Sequence, residues 1–267
     1  MCLRQKTIAA FLSFILIFSS FSLFIGTFQA DAAPSANLNL QAGSAILMDA
    51  HTGDILFAMN ENEAKPPASM AKMMTEYLVM ESIKQGKISW DDVVTVSRRA
   101  SETIGSKIFL AEGDKHTVRE LFIAMAVGSA NDASVALAEY VAGSEEEFAK
   151  RMNEKAKELG LSEKAHFINA TGLGRADMGP YAPDSIPGET LLTAKDAALL
   201  AYRIIHDHPE VLEITKMPHY KFRERDDKPM VNYNWMVEAN KDNVYLRTFA
   251  YEGMDGLKTG HTKEAGY

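Results

Sequence analysis

Two short apolar runs, Ala45-Ile-Leu-Met-Asp49 and Ile55-Leu-Phe-Ala58, flank the polar stretch Ala50-His-Thr-Gly-Asp54. The pattern predicts a β-hairpin with Gly53 in its turn. Pro66-Pro67 then block any regular element, and Ala68 to about Gln85 follows a helical period. Met70, Met73, Met74, Tyr77, Leu78 and the Glu81–Ile83 turn form its apolar stripe, and Gly86 ends it. The methionines at this spacing read as core packing and imply no cofactor. Thr117-Val-Arg-Glu120 is a capping box that opens a helix through Ala126 or Val127. Gly128-Ser-Ala-Asn131 makes a tight loop, and a second helix runs from about Asp132 to Val141 and stops at Gly143. Ser144 opens a third helix to Leu159, with Gly160 as its stop, and Thr193 to Ile205 reads as a fourth, broken by Pro209. From Met217 the texture turns aromatic and β-branched, with Tyr220, Phe222, Tyr233, Trp235, Val244, Tyr245, Phe249 and Tyr251. Gly253-Met-Asp-Gly256 reads as a turn feeding a strand that carries Lys258-Thr-Gly260. Strands, a block of helices, then strands describe an α+β fold, an antiparallel sheet with helices grouped beside it.

Ahead of these elements, residues 1–32 read as an export signal. Arg4 and Lys6 precede an apolar run from about Ile8 to Phe28, and Ala30-Asp-Ala32 supplies a small-x-small cleavage site. The run is long enough to be read instead as an uncleaved membrane anchor; the Ala-x-Ala site favours cleavage. Removing residues 1–32 takes Arg4, Lys6 and Asp31 from 28 basic and 36 acidic residues, leaving a formal charge of −9. Such a chain has no electrostatic reason to bind nucleic acid. The one cysteine, Cys2, leaves with the leader, which suits an exported protein without disulfides or thiol chemistry. Residues 33–267 suffice for one sizeable domain or two intimately packed subdomains.

The candidate chemistry lies in three ordered triplets. Ser69-Met-Ala-Lys72 is the only Ser-x-x-Lys in the chain, and Lys258-Thr-Gly260 is also unique. Ser-x-Asn occurs at Ser129-Ala-Asn131 and at Ser35-Ala-Asn37, the latter in the polar stretch after the leader. A serine hydroxyl is a weak nucleophile at neutral pH and needs an adjacent base. Three residues apart on a helix, Ser69 and Lys72 share a face. Taken alone, Ser69 could be an ordinary N-cap, and Asn131 or Asp132 could simply cap the second helix. His206-Asp-His208, the nearest approach to a metal-ligand spacing, reads as a surface helix terminus.

At these residues the chain resembles the serine-type D-alanyl-D-alanine carboxypeptidases, the low-molecular-weight penicillin-binding proteins. Ala68-Ser-Met-Ala-Lys-Met-Met-Thr75, Asn169-Ala-Thr-Gly-Leu173 and Asp255-Gly-Leu-Lys-Thr-Gly-His-Thr262 extend the resemblance, which covers about Ala42 to Tyr267. It implies a β-lactamase/transpeptidase-like fold and a catalytic domain over residues 33–267. It also implies cleavage between the terminal D-alanines of peptidoglycan stem peptides, with β-lactams as covalent inhibitors and neither metal nor cofactor. Under the resemblance Ser69 is the nucleophile, Lys72 the general base, and Ser129 the relay that protonates the departing D-alanine. Asn131 would bind the substrate amide and orient Lys72, and Lys258 and Thr259 would bind the terminal carboxylate. Gly260 would let its strand approach the substrate, and His261 would contribute its main-chain N–H, with that of Ser69, to an oxyanion hole.

Two rival functions remain. A class A β-lactamase needs a Glu-x-x-Leu-Asn segment for deacylation, and in this chain no Glu is followed four positions later by Asn. A penicillin-binding sensor, or an inactive fragment, would be acylated without turnover. The sequence stops at Tyr267, seven residues past Gly260. The resemblance implies further strands, a closing helix, a second β domain and a C-terminal membrane anchor in full-length relatives. The chain therefore reads as an incomplete member whose Lys258–Gly260 strand lacks a neighbour on one side.

Overall fold

The computed structural model describes residues 38–263, 265 and 266. The expected export signal, residues 1–32, lies outside them. The expected first hairpin forms between β1 (Ala45–Met48) and β2 (Ile55–Met59), antiparallel with Ala45 opposite Met59. Gly53 sits in the turn at φ 78°, where the Asp49 carboxylate accepts from the N–H groups of His51 and Thr52.

After a 3-10 turn over Ala68–Ala71 comes helix α1 (Lys72–Lys84). The sequence predicts one apolar stripe here, but every residue from Lys72 to Met80 is buried. Helices pack on several sides of α1, and its polar residues Lys72, Thr75 and Glu76 are therefore enclosed with the methionines. This enclosure is what gives the site its electrostatics.

A small ladder not foreseen in the sequence, β3 (Val93–Thr95) with β4 (Lys115–Thr117), leads into α2 (Val118–Gly128). The capping box at the start of α2 is present: Thr117 Oγ1 accepts from the Glu120 N–H, and Glu120 accepts from the Thr117 N–H. Removing that cap in Thr117→Ala is expected to cost about 1 kcal/mol. A thermal melt should read this as a drop of roughly 2–4 °C. Helix α3 (Asn131–Ala142) ends on Gly143 in the left-handed region, and α4 (Glu145–Glu158) is capped by Ser144. Helix α5 (Ala194–Asp207) opens on a second capping box, Thr193 with Asp196. Of the two histidines at its end, His206 in the last turn is exposed, but His208 is buried and packs edge-on against Tyr77. The expected surface terminus therefore holds for only one of them.

The aromatic stretch from Met217 departs from expectation. It yields one ladder of two-residue strands, β5 (His219–Tyr220) with β6 (Met230–Val231), then a 3-10 segment, Glu238–Asp242, and turns. Asn232 and Asn234 side chains bond backbone carbonyls at Thr215, Met217 and Gly256, and these bonds replace sheet pairing. The expected strand at Lys258–Gly260 also forms no ladder, because no partner strand lies beside it among the described residues. The class is α+β as predicted, with three two-stranded antiparallel ladders in place of one continuous sheet. The core lies between α1 and the surrounding helices, centred on Met74, Phe122, Leu137, Phe148 and Leu200.

Candidate active site

Ser69 stands in the 3-10 turn that opens α1. No side chain caps that turn, so Ser69 is not an N-cap. The residue before it, Ala68, holds φ at 50°, a left-handed conformation that costs a non-glycine residue about 1–3 kcal/mol and clusters at functional sites. Met70 N–H closes the turn on the Pro67 carbonyl at 3.2 Å.

One turn on, Lys72 is fully buried. Its Nζ lies 2.9 Å from Ser69 Oγ and donates to the Thr171 carbonyl at 2.8 Å. Burial holds the amine well below the usual lysine value, and the Lys258 cation adds to the effect. Glu76, Glu145 and Asp132 oppose it. A neutral amine at this distance can take the Ser69 proton.

The opposite side of the site starts at the end of α2. Ser129 caps that helix in the left-handed region, φ 54°, and its Oγ accepts from Lys258 Nζ at 3.0 Å. Lys258 also donates to the Thr259 carbonyl at 3.0 Å. Partial burial pushes the Lys258 amine down to about 8, against the attraction of Glu76. At neutral pH it remains mostly a cation. Asn131 begins α3 without capping it, and its Nδ2 donates to the Ile104 carbonyl at 2.7 Å. Its Oδ1 is a buried acceptor with no protein partner. The group that holds Lys72 Nζ in place is the Thr171 carbonyl, where the resemblance implied Asn131. Asp132 takes the N–H groups of Ile108 and Leu110, which ties down the loop that brings Ser106 to the site.

Ser69, Ser129, Thr259, Gly260 and His261 line one cleft of about 610 Å³, and the sequence reading had singled out all five. Ser106, Tyr233 and Trp235 complete the wall; the sequence marks the two aromatics only as strand residues and Ser106 not at all. Gly260 makes its close approach to the loop that carries Ser69: a Cβ there would stand 2.6 Å from the Pro67 carbonyl and 3.2 Å from the Met70 nitrogen. That contact seats the segment carrying Lys258 against the turn carrying Ser69. Among the described residues no group of three or more His, Cys, Asp or Glu side chains could hold a metal ion.

A family model described as D-alanyl-D-alanine carboxypeptidase matches residues 29–267. The chain belongs to that family. The D-alanyl-D-alanine carboxypeptidase DacF of Bacillus subtilis is 40% identical over 237 residues, which are 89% of this chain and 55% of DacF. DacD of Escherichia coli is 37% identical, covering 85% of this chain and 54% of its own length. The chain thus spans about half the length of the curated relatives it matches. The peptidoglycan synthesis regulatory factor PBP3 from Streptococcus pneumoniae superposes with a TM-score of 0.76 at 36% identity, over 84% of this chain and 61% of that one. Penicillin-binding protein D2 from Listeria monocytogenes, solved in an ampicillin-bound form, gives 0.70 at 32% identity over 88% and 84%. The fold is therefore the transpeptidase-like fold of the penicillin-binding proteins.

The family stretch Asn169–Leu173 has a structural role visible here. Asn169 Oδ1 accepts from the N–H groups of Thr171 and Gly172 at 3.0 and 2.7 Å and from the Thr171 hydroxyl at 2.9 Å. The resulting turn aims the Thr171 carbonyl at Lys72 and presses Gly172 against Ala68.

Proposed function

We propose that this chain is the catalytic part of an exported serine-type carboxypeptidase that removes the terminal D-alanine from peptidoglycan stem peptides. The observation that carries the proposal is a buried, neutral-leaning amine 2.9 Å from Ser69 Oγ, with a second ammonium bonded to Ser129 on the other side. The family membership and the ampicillin-bound relative support it.

In this mechanism Lys72 takes the Ser69 proton as Oγ attacks the carbonyl between the two D-alanines. The backbone N–H groups of Ser69 and His261 receive the developing oxyanion, each worth about 3 kcal/mol in the transition state. The proton passes from Lys72 to Ser129 and on to the nitrogen of the departing D-alanine, so the amine leaves neutral. Lys258 and the Thr259 hydroxyl hold the carboxylate of that residue. Asn131 binds the substrate amide, as the resemblance implies; its buried Oδ1 has no partner among the described residues. Water, activated by the same Lys72 amine, then hydrolyses the acyl-Ser69 ester. β-Lactams enter by the same attack and leave a slowly hydrolysed ester.

Release of D-alanine from a peptide ending in Lys-D-Ala-D-Ala tests the proposal, with Ser69→Ala as the inert control. Labelling of Ser69 by a fluorescent penicillin without D-alanine release would replace it with a sensor. Rapid penicillin turnover would make the protein a β-lactamase. Export by residues 1–32 is part of the same proposal. Cleavage after Ala32, read by the mass of the secreted protein, is the expected outcome; retention of the leader would identify an anchor.

A further inference from the structure

Glu76 is one turn beyond Lys72 on α1, an i,i+4 relation that puts the two side chains on one helix face. It is completely buried, and neither carboxylate oxygen has a hydrogen-bond partner among the described residues. The other two carboxylates that act on Lys72 are compensated in place. Asp132, on α3, accepts the backbone N–H groups of Ile108 and Leu110. Glu145, at the start of α4, pairs with Arg99 at 2.6 Å and accepts from the Ala170 N–H. Glu76 has no such partner, although the two lysine charges of the site both bear on it. An unpartnered buried carboxylate destabilises a fold. Stability is therefore not what this residue supplies.

We propose that Glu76 is a positioning residue of the proposed reaction: its buried charge sets the protonation of Lys72 and Lys258 together, and so fixes the pH window in which Ser69 is acylated. The inference rests on the carboxypeptidase reading, since it assigns those lysines their roles. Burial pushes the Glu76 carboxyl up to about 7 while both lysines pull it down. It thus ionises in the range where the site must work. The anion favours the ammonium that Lys72 becomes when it takes the Ser69 proton, and it keeps Lys258 charged for the substrate carboxylate.

The sign of the test follows. Glu76→Gln keeps the shape and removes the charge. Lys72 then loses a stabiliser of its protonated form and becomes neutral at lower pH, which moves the acid limb of the acylation profile down. Lys258 loses the same support and deprotonates earlier, which moves the basic limb down. At the i,i+4 spacing, about 6 Å, and an effective dielectric near 20, the Lys72 shift is roughly two pH units, and Lys258 shifts in the same direction. The measurement is the rate of Ser69 labelling by a fluorescent penicillin in wild type and Glu76→Gln, from about pH 5 to 10, with melts to confirm folding. Both midpoints are expected to fall. A variant that is slower at every pH with unmoved midpoints shows a structural role and overturns the inference. Should Glu76→Gln not fold, ¹³Cε NMR titration of the lysines in wild type decides. Inflections of Lys72 and Lys258 that track Glu76 ionisation support the coupling, and independent titrations overturn it. Wild-type protein that takes no penicillin at any pH sinks the carboxypeptidase reading instead, while the lysine titration still reads the coupling.

Discussion

Lys72→Met is expected to give a protein that is inert towards penicillin and, near neutral pH, more resistant to heat than the wild type. The catalytic half follows from geometry. Nζ of Lys72 is the group within hydrogen-bond reach of Ser69 Oγ, and a thioether cannot take a proton. General-base removal costs about 10²–10⁴-fold. The stability half follows from linkage. Lys72 in the folded state has its pKa depressed, chiefly by burial. Between that depressed value and the ordinary lysine value the unfolded chain binds a proton that the folded chain must release, so wild-type stability rises with pH across the window. Methionine has a similar shape and no proton to lose. Against this stand two lost hydrogen bonds: the Thr171 carbonyl loses its donor, worth about 1–3 kcal/mol if nothing replaces it, and the Ser69 hydroxyl loses its bond to Nζ. Melting curves of the two proteins from neutral pH to about pH 10 are the measurement. The advantage of Lys72→Met should be largest near neutrality and shrink as the pH rises. A gap that stays constant with pH would show that Lys72 is protonated in the folded state, and the base assignment would fall with it.

The elements that could be read in advance were those with a local cause. Thr117-Val-Arg-Glu120 closes a capping box through contacts three residues apart, and Gly143 stops α3 through its own backbone freedom. Both needed only their neighbours in sequence. Ser69, Lys72, Ser129 and Lys258 were legible because their chemistry is in their side chains and their order along the chain is distinctive. The Thr171 carbonyl was not legible. Any residue carries such a group, and only the turn built by Asn169 and Gly172 aims it at Lys72. Glu76 was hidden for a related reason: a glutamate on a helix with an apolar stripe reads as solvent-facing until Lys72–Met80 of α1 are known to be enclosed. The aromatic stretch after Met217 failed differently. Its β propensity is genuine, but strand propensity mostly expresses packing against neighbours, and the Asn232 and Asn234 side chains take the backbone carbonyls into turns instead.

Gly172→Ala should be the most damaging single-methyl change on the far side of the site, and its cause is the same loop. Gly172 holds φ at 83°, which L side chains rarely adopt, and an added Cβ would stand 1.9 Å from the Ala68 carbonyl oxygen and 2.6 Å from its carbon. Those atoms are backbone, and Ala68 is itself in a left-handed conformation, so neither partner can yield without moving Ser69. The left-handed penalty alone is about 1–2 kcal/mol, and the overlap adds strain that only a shift of the loop relieves. A shift carries the Thr171 carbonyl away from Lys72 and the Ala68–Ser69 peptide away from its place beside the cleft. Displacements near 1 Å in such a site cost on the order of 10²-fold in rate. The control is Gly160→Ala, where φ is 82° and a Cβ would meet nothing within 4 Å. It carries the conformational penalty without the collision, and its acylation rate should match wild type. Melting temperature and penicillin labelling rate, measured on both variants, separate the two terms. If Gly172→Ala loses no more than Gly160→Ala in either measurement, the loop is not wedged against Ala68, and the account of how Lys72 is held fails.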